Sequence, residues 1–75
     1  MPRFHFHIVE DGRVITDEEG QELTERDAVR GEAMETAASV AKDAFMRGSA
    51  SQVIVDVRKG DELFLTVSIS LTVEG

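Results

Sequence analysis

The first candidates for chemistry in this chain are two histidines near its start. His5 and His7 lie two positions apart in the alternating segment Phe-His-Phe-His-Ile. On a β-strand such residues point to the same side with Cα atoms about 6.5–7 Å apart, so both imidazoles could reach one divalent metal ion. A third ligand would have to come from another segment. Asp56 is expected on the same side of the sheet, and Asp17 could approach His5 across the first hairpin.

The histidine pair has two possible interpretations. In the first, His5, His7 and Asp56 ligate a metal ion. In the second, both histidines lie on a solvated or partner-covered face of the sheet, and His7 makes a hydrogen bond to a neighbour. We favour the second interpretation, because a metal site needs a third ligand and the sequence does not clearly supply one. No metal or other cofactor is therefore expected.

No other residue pattern indicates an active site. The acidic segment Asp17-Glu18-Glu19, with Glu22 nearby, offers oxygen ligands but lacks the alternating acidic pattern of an EF-hand loop, so a solvated turn is expected. The sequence contains no cysteine, no Gly-x-Ser-x-Gly, no Gly-x-Gly-x-x-Gly and no P-loop. We therefore predict a protein that is not an enzyme.

Composition narrows the possible partners. The 75 residues include 8 Lys and Arg against 15 Asp and Glu, a net charge of −7, which argues against nucleic-acid binding. Ten of the acids and only three bases lie in residues 10–35, and this acidic segment could recognise a basic protein. There is no apolar run of signal-peptide or membrane-spanning length, so a cytoplasmic protein without a membrane partner is expected.

Hydrophobic periodicity predicts five elements in one domain, residues 1–75. Period-two alternation indicates strands at 3–9, 13–16, 52–58 and 62–73, and period-3.6 spacing indicates a helix at 25–47. The expected fold is α+β, ββαββ, a four-stranded antiparallel sheet with one long helix packed on one face.

Local signals at the helix ends and along its buried face support this assignment. Thr24 with Asp27 resembles a capping box, and Gly48 is a common helix stop. The predicted buried face is rich in alanine, which leaves room for the rings of Phe4 and Phe6 from the first strand.

Strand order and the first hairpin each have two solutions. Numbered along the chain, the four strands can lie in the order 2-1-3-4 or 1-2-4-3. We favour the first order, which places the phenylalanine-rich first strand centrally and the last strand on an edge. A two-residue Asp11-Gly12 loop would pair Ile8 with Ile15, whereas a three-residue loop would pair Ile8 with Val14.

For the second hairpin, the pattern favours a three-residue loop ending at Gly60. This register pairs Val55 with Leu63, so that inward valines meet inward leucines. A two-residue Lys59-Gly60 loop would pair Val55 with Phe64 and mix the two faces. The favoured register places Phe64 on the outward face.

The C-terminal strand is the predicted interface of a homodimer. A chain of this length buries one small core, has no disulfide, and gains from a second subunit. The inward residues of the last strand continue past the ends of the shorter strands, and an overhanging edge strand is a template for pairing. The predicted interface residues are Ile54, Phe64, Ile69, Leu71 and Val73.

Two N-terminal motifs resemble a known protein family. The chain opens Met-Pro-Arg-Phe-His-Phe-His-Ile and continues at residues 17–23 with Asp-Glu-Glu-Gly-Gln-Glu-Leu, followed by an Ala/Glu-rich helix. This resembles a family of short uncharacterised bacterial proteins that is common in alphaproteobacteria. His5 stands where that family has an aromatic residue, and the chain runs on through residues 67–73 where members often end. The resemblance implies a domain of unknown function with no catalytic residues to carry over.

Overall fold

The chain forms five strands and one helix within residues 2–75, which are the residues that the computed structural model describes. In chain order these are β1 (Arg3–Glu10), β2 (Arg13–Ile15), β3 (Gln21–Glu22), α1 (Arg26–Arg47), β4 (Gln52–Lys59) and β5 (Glu62–Ser70). No helix in this part of the chain has the length and hydrophobicity needed to cross a membrane.

The sheet has the order β2-β1-β4-β5, and every pairing is antiparallel. The predicted α+β fold and the favoured strand order are both confirmed. The short strand β3 was not predicted, and it pairs with Arg3 and Phe4 at the start of β1. β2 pairs with the other end of β1, so this side of β1 is covered by two short strands with the segment between them.

The first hairpin uses the two-residue loop. Ile8 pairs with Ile15 and Glu10 with Arg13. Asp11 and Gly12 both have positive φ, 47° and 88°, as the favoured hairpin turn with two left-handed residues requires. The Asp11 carboxylate accepts hydrogen bonds from the backbone N–H groups of Ser51 and Gln52, so it fixes the start of β4 against the turn.

The predicted register of the second hairpin is wrong. The loop consists of Gly60 and Asp61, and Lys59 pairs with Glu62. A β-bulge follows, because Arg58 pairs with Leu63 and Val57 with Leu65, which leaves Phe64 as the extra residue. The pairing beyond the bulge is shifted relative to both registers considered from the sequence.

The bulge corrects the predicted orientation of Phe64. Phe64 packs against the core, with its ring centroid 5.0 Å from that of Phe4 in an edge-to-face arrangement. Leu63, predicted to face inward, is 55% exposed instead. The reason is that a bulge places two residues opposite one and interrupts the alternation of the strand. From Leu65 onward the predicted inward face is confirmed, since Leu65, Val67 and Ile69 pack against the core.

β5 is shorter than predicted. It ends at Ser70, and residues 71–75, which we call the tail, belong to no regular element. The Leu71 N–H still donates to the Ser51 carbonyl at 2.8 Å. The tail side chains of Leu71 and Val73 are 41% and 83% exposed, so they contribute little to the core of their own chain.

The helix covers one face of the sheet with small side chains. Its buried row repeats every three or four residues and consists of Val29, Ala33, Ala37, Ala41 and Ala44. These residues pack on the phenylalanines of β1 and on the valines at alternate positions of β4, all fully or nearly fully buried (Phe4, Phe6, Val53, Val55, Val57). The alanine-rich face thus brings the helix backbone close to the sheet, as predicted.

The helix ends differ in how well the sequence predicted them. Glu25 is the N-cap residue and makes no side-chain capping bond, so the capping box predicted from Thr24 and Asp27 is wrong. Gly48 takes the left-handed conformation, and its N–H reaches the carbonyls of Ala44 and Phe45. The predicted glycine stop is therefore confirmed.

Candidate functional site

The predicted histidine pair lies on the sheet face opposite α1, which we call the outer face. His5 and His7 alternate along β1 with the buried Phe4 and Phe6. Their rings are nearly parallel, at 15°, with centroids 6.2 Å apart. The Nδ1 atom of His7 accepts a hydrogen bond from the Asp17 backbone N–H at 3.1 Å, so one of the four imidazole nitrogens is committed within the chain.

Asp17 approaches the histidines, but its carboxylate serves the backbone. One oxygen accepts the Phe6 N–H at 3.0 Å, and the other accepts the Gly20 N–H at 3.1 Å. Phe6 lies in the gap between the β2 and β3 pairings of β1, so the Asp17 side chain supplies the acceptor that a neighbouring strand would otherwise provide. Asp17 is therefore a structural element of the sheet edge and not a free metal ligand.

Opposing effects act on the pKa of the Asp17 carboxyl. Burial raises it, whereas the backbone N–H groups of Phe6, Gly20 and Glu19 lower it, as does the nearby His5. The balance places the pKa below the ordinary value of 3.8. These donors bind the charged form and therefore favour it.

The depressed pKa of Asp17 predicts a loss of stability in acid. Since the pKa is lower in the folded chain than in the unfolded chain, the stabilisation is fully present above pH 3.8 and is lost as the pH falls through the folded value. Asp17→Asn should cost about 1–3 kcal/mol at neutral pH, because a hydrogen-bonded charge is removed. Urea unfolding at pH 7 and at pH 2.5 measures this. Equal losses at the two pH values would contradict an ionised, backbone-bound Asp17.

Asp56 lies opposite His7 in the β1–β4 pairing, on the sheet face where it was expected from the sequence. Its Oδ2 atom forms an ion pair with Arg58 at 3.2 Å. Its Oδ1 atom is buried and has no hydrogen-bond partner within the described chain. Within residues 2–75, however, no three His, Cys, Asp or Glu side chains gather in a way that could hold a metal ion.

Thermal melts with and without a metal ion test whether the outer face binds one. We expect the melting temperature to be the same with EDTA and with one equivalent of Zn²⁺, because a specific metal must stabilise the folded state by mass action and the third ligand is missing. His5→Ala and His7→Ala should behave like the wild type in this assay. A Zn²⁺-dependent rise in the wild type that disappears in either variant would restore the metal hypothesis.

A groove runs along the other side of the sheet, between α1 and β5. It measures about 430 Å³ and is lined by Arg26, Arg30, Met34 and by residues 65–68 of β5. Met34 is 47% exposed there. The Arg26 guanidinium carbon lies 4.9 Å from the centroid of the Phe64 ring, so this arginine marks the end of the groove near the start of β5. Neither Arg26 nor Arg30 forms an ion pair with any residue that the structure describes.

This groove was not predicted from the sequence. Its signal is present, since Arg26, Arg30 and Met34 are spaced four residues apart and so form a single row on one helix face. The row borders the buried alanine row, and it becomes a groove wall only because β5 lies below it as the last strand of the sheet.

Comparison with known families places the whole sheet and helix in one family. Residues 3–70 match the family described as domain of unknown function (DUF6894). The chain belongs to this family. The match includes the histidine pair, Asp17 and both walls of the groove. Comparison with curated proteins and with solved structures gave no significant match.

The free edge of the DUF6894 sheet is unusual in its side chains. β5 is the last strand in the order, so one side of its backbone faces no other strand of the described chain. Natural edge strands usually carry Lys, Pro or inward-pointing charges that prevent pairing with another chain. In this domain residues 63–73 contain no charged residue and no proline, although 31% of the chain is charged. Apart from the bulge at Phe64, this edge therefore lacks the common protection against strand addition.

The acidic segment at residues 10–35 is partly used within the domain. The carboxylates of Asp11 and Asp17 bind backbone N–H groups, and Glu22 pairs with Arg3 at 3.3 Å. A basic protein partner for the remaining carboxylates stays a prediction. As a surface for a protein partner, the edge of β5 is a better candidate than the acidic segment, because its backbone N–H and C=O groups face no other strand and its apolar residues are only half-buried.

Proposed function

We propose that this domain is a small, non-enzymatic protein-interaction module that acts as a homodimer joined through the C-terminal strand. The observation that carries the proposal is the free edge of β5, which has no charged residue and no proline between residues 63 and 70. An exposed strand edge offers N–H and C=O groups that a second strand can pair with along its length. The natural first partner for such an edge is the same edge of a second copy.

Charge supports a second copy at this edge. Each chain carries a net charge of −7, so most of its surface repels another copy. Residues 63–73 contribute no charge, and pairing there brings no carboxylates into direct opposition. The β5 edge thus offers unpaired backbone groups without charged side chains in residues 63–73.

The size of the domain also supports association. A chain this short gains only about 3–5 kcal/mol from its single core, so an interface adds a large share of the total stability. Full burial of an exposed aliphatic side chain such as Val73 contributes about 1.5–3 kcal/mol before the cost of association is subtracted, and the partly exposed Leu71 contributes a fraction of that. Leu71 and Val73 are the predicted interface residues that the fold leaves exposed.

Antiparallel pairing of two β5 strands defines the expected dimer. A two-fold axis perpendicular to the sheet would join the two sheets into one, with both helices on the same face. Of the other predicted interface residues, Ile54 lies on the outer face of β4, away from the paired β5 strands. Phe64 is held by the core of its own chain.

The test is the oligomeric state at micromolar concentration. Sedimentation equilibrium should give a mass near twice the 8.3 kDa of one chain. Ser68→Lys places a charge on the exposed side of β5, and we expect it to weaken the dimer about tenfold, because like charges then meet across the two-fold axis. Ser39→Lys on the exposed face of α1 is the matched control, with the same change of charge.

Two outcomes would contradict the proposal. One is a wild-type chain that remains monomeric at several hundred micromolar. The other is a Ser68→Lys variant that dimerises as well as Ser39→Lys, which would place the contact on a surface other than the β5 edge.

A further inference from the structure

We infer that the groove between α1 and β5 of one copy receives the tail, residues 71–75, of a second copy. The inference rests on the proposed homodimer and names the segment that completes its interface. In this arrangement each chain places its tail in the groove of the other, so both grooves of the two-fold symmetric dimer are filled.

The groove has the chemistry of a site for an extended apolar segment. Its floor and wall are formed by Leu65, Val67 and the half-exposed Met34, and one end carries Arg26 and Arg30. An occupant therefore needs apolar side chains at alternate positions, all on the α1 side of the sheet.

The tail has the matching pattern. Leu71 and Val73 are two residues apart, follow the same alternation as Leu65, Val67 and Ile69, and are exposed in their own chain. If Ile69 of both copies meets at the two-fold axis, Leu71 and Val73 of the second copy lie opposite Val67 and Leu65, with their side chains on the α1 side of the sheet.

The tail of the same copy cannot fill this site. From Ser70 to Phe64 the strand runs back about 20 Å at its usual rise per residue. Glu74 lies four residues beyond Ser70 and can reach at most about 14 Å, even before the residues needed to reverse direction are subtracted. The arginine end of the groove is therefore accessible to a second copy, whose antiparallel β5 carries its tail toward that end.

Disulfide trapping tests the placement, and the chain has no cysteine that would interfere. Met34→Cys and Leu71→Cys are made as separate variants, one with a mass tag, then mixed, dimerised and mildly oxidised. Within one chain Leu71 lies about 10 Å along the strand from Ser68, the groove residue nearest to it in sequence, too far for a disulfide, which needs Cα atoms within about 7 Å. A linked heterodimer therefore reports a tail in the groove of another copy.

We expect most of the mixed dimer to become cross-linked. Met46→Cys mixed with Leu71→Cys is the control, since Met46 is 82% exposed and lies outside the groove. Wild-type sedimentation runs alongside. A dimeric wild type whose Met34→Cys and Leu71→Cys variants cross-link no better than the control would overturn the tail placement and leave the β5 dimer standing. A monomeric wild type would instead reject the proposed function, and the tail placement with it.

Discussion

Replacement of Phe6 by alanine should unfold the domain or lower its melting temperature by at least about 12 °C. Phe6 is 5% exposed, lies in the central strand β1 opposite Val57, and belongs to the cluster with Phe4, Val29 and Val55. Removal of a buried phenylalanine ring costs about 3–5 kcal/mol. This loss matches the whole stability expected from one small core, and each kcal/mol shifts the midpoint of a domain of this size by about 4–8 °C.

The surroundings of Phe6 explain why the cavity would not collapse. The helix row above it consists largely of alanines, which cannot extend into the space that the ring leaves. Val9→Ala on the outer face of the same strand is the control and should cost less than about 1 kcal/mol. Thermal melts followed by circular dichroism, at one fixed protein concentration, separate the two. If Phe6→Ala melted like Val9→Ala, the assignment of the inner face of β1 would be wrong.

The fold was largely predictable because its strands and helix have clear periods. Alternation in β1 and β4 identified the inward residues, and the alanine row identified the buried face of α1. The strand order followed from antiparallel pairing and a central phenylalanine-rich strand. These features depend on which face of each element is apolar, and the spacing of apolar residues along the chain identifies that face.

The bulge at Phe64 could not be predicted from alternation. Strict alternation holds only from Leu65 onward, and the run Leu63-Phe64-Leu65 is apolar at every position, so the pattern does not show which of these residues face the core. In the structure these three residues lie opposite Val57 and Arg58. What favours the bulge is a contact between distant segments, the edge-to-face packing of Phe64 on Phe4, together with Arg26 above the ring. Long-range packing thus overrides a local pattern, and the predicted orientations of Leu63 and Phe64 were wrong for that reason.

The position of the histidines on the outer face was predictable from the sequence, but their hydrogen bonds to neighbouring residues were not. Both histidines were expected on one face because strand residues two apart share it. The bond from the Asp17 N–H to His7 depends on the path of the loop between β2 and β3, and β3 is only two residues long. A strand of two residues is too short to show an alternation of apolar and polar side chains. The groove of Arg26 and Arg30 was missed because it is formed by two elements far apart in sequence.

Gly20→Ala should be the most damaging single change outside the core. Gly20 has a φ of +72°, which costs a residue with a Cβ about 1–2 kcal/mol. A Cβ at this position would also come within 2.8 Å of the Phe4 carbonyl oxygen and 2.9 Å of Nε2 of His5. The backbone contact cannot be relieved by a side-chain rotation, so the loop must move away from β1, at a further cost of about 1–3 kcal/mol.

Movement of this loop would also disturb the hydrogen bonds of Asp17 and the positions of the two histidines. The Gly20 N–H donates to Asp17, and the same carboxylate holds the Phe6 N–H. The outer-face arrangement of Asp17 and the two histidines therefore depends on a close approach that only glycine permits. We expect Gly20→Ala to shift the His5 and His7 ring resonances in NMR spectra as well as lower stability.

Gly48→Ala isolates the contribution of that contact. Gly48 has nearly the same φ, +71°, and an added Cβ there would meet nothing within 4 Å. The two variants thus share the conformational cost and differ in the collision with β1. Urea unfolding should give a loss for Gly20→Ala that exceeds the Gly48→Ala loss by about 1–3 kcal/mol. Equal losses would mean that the loop yields freely, and the link from Gly20 to Asp17 and the histidines would then have to be abandoned.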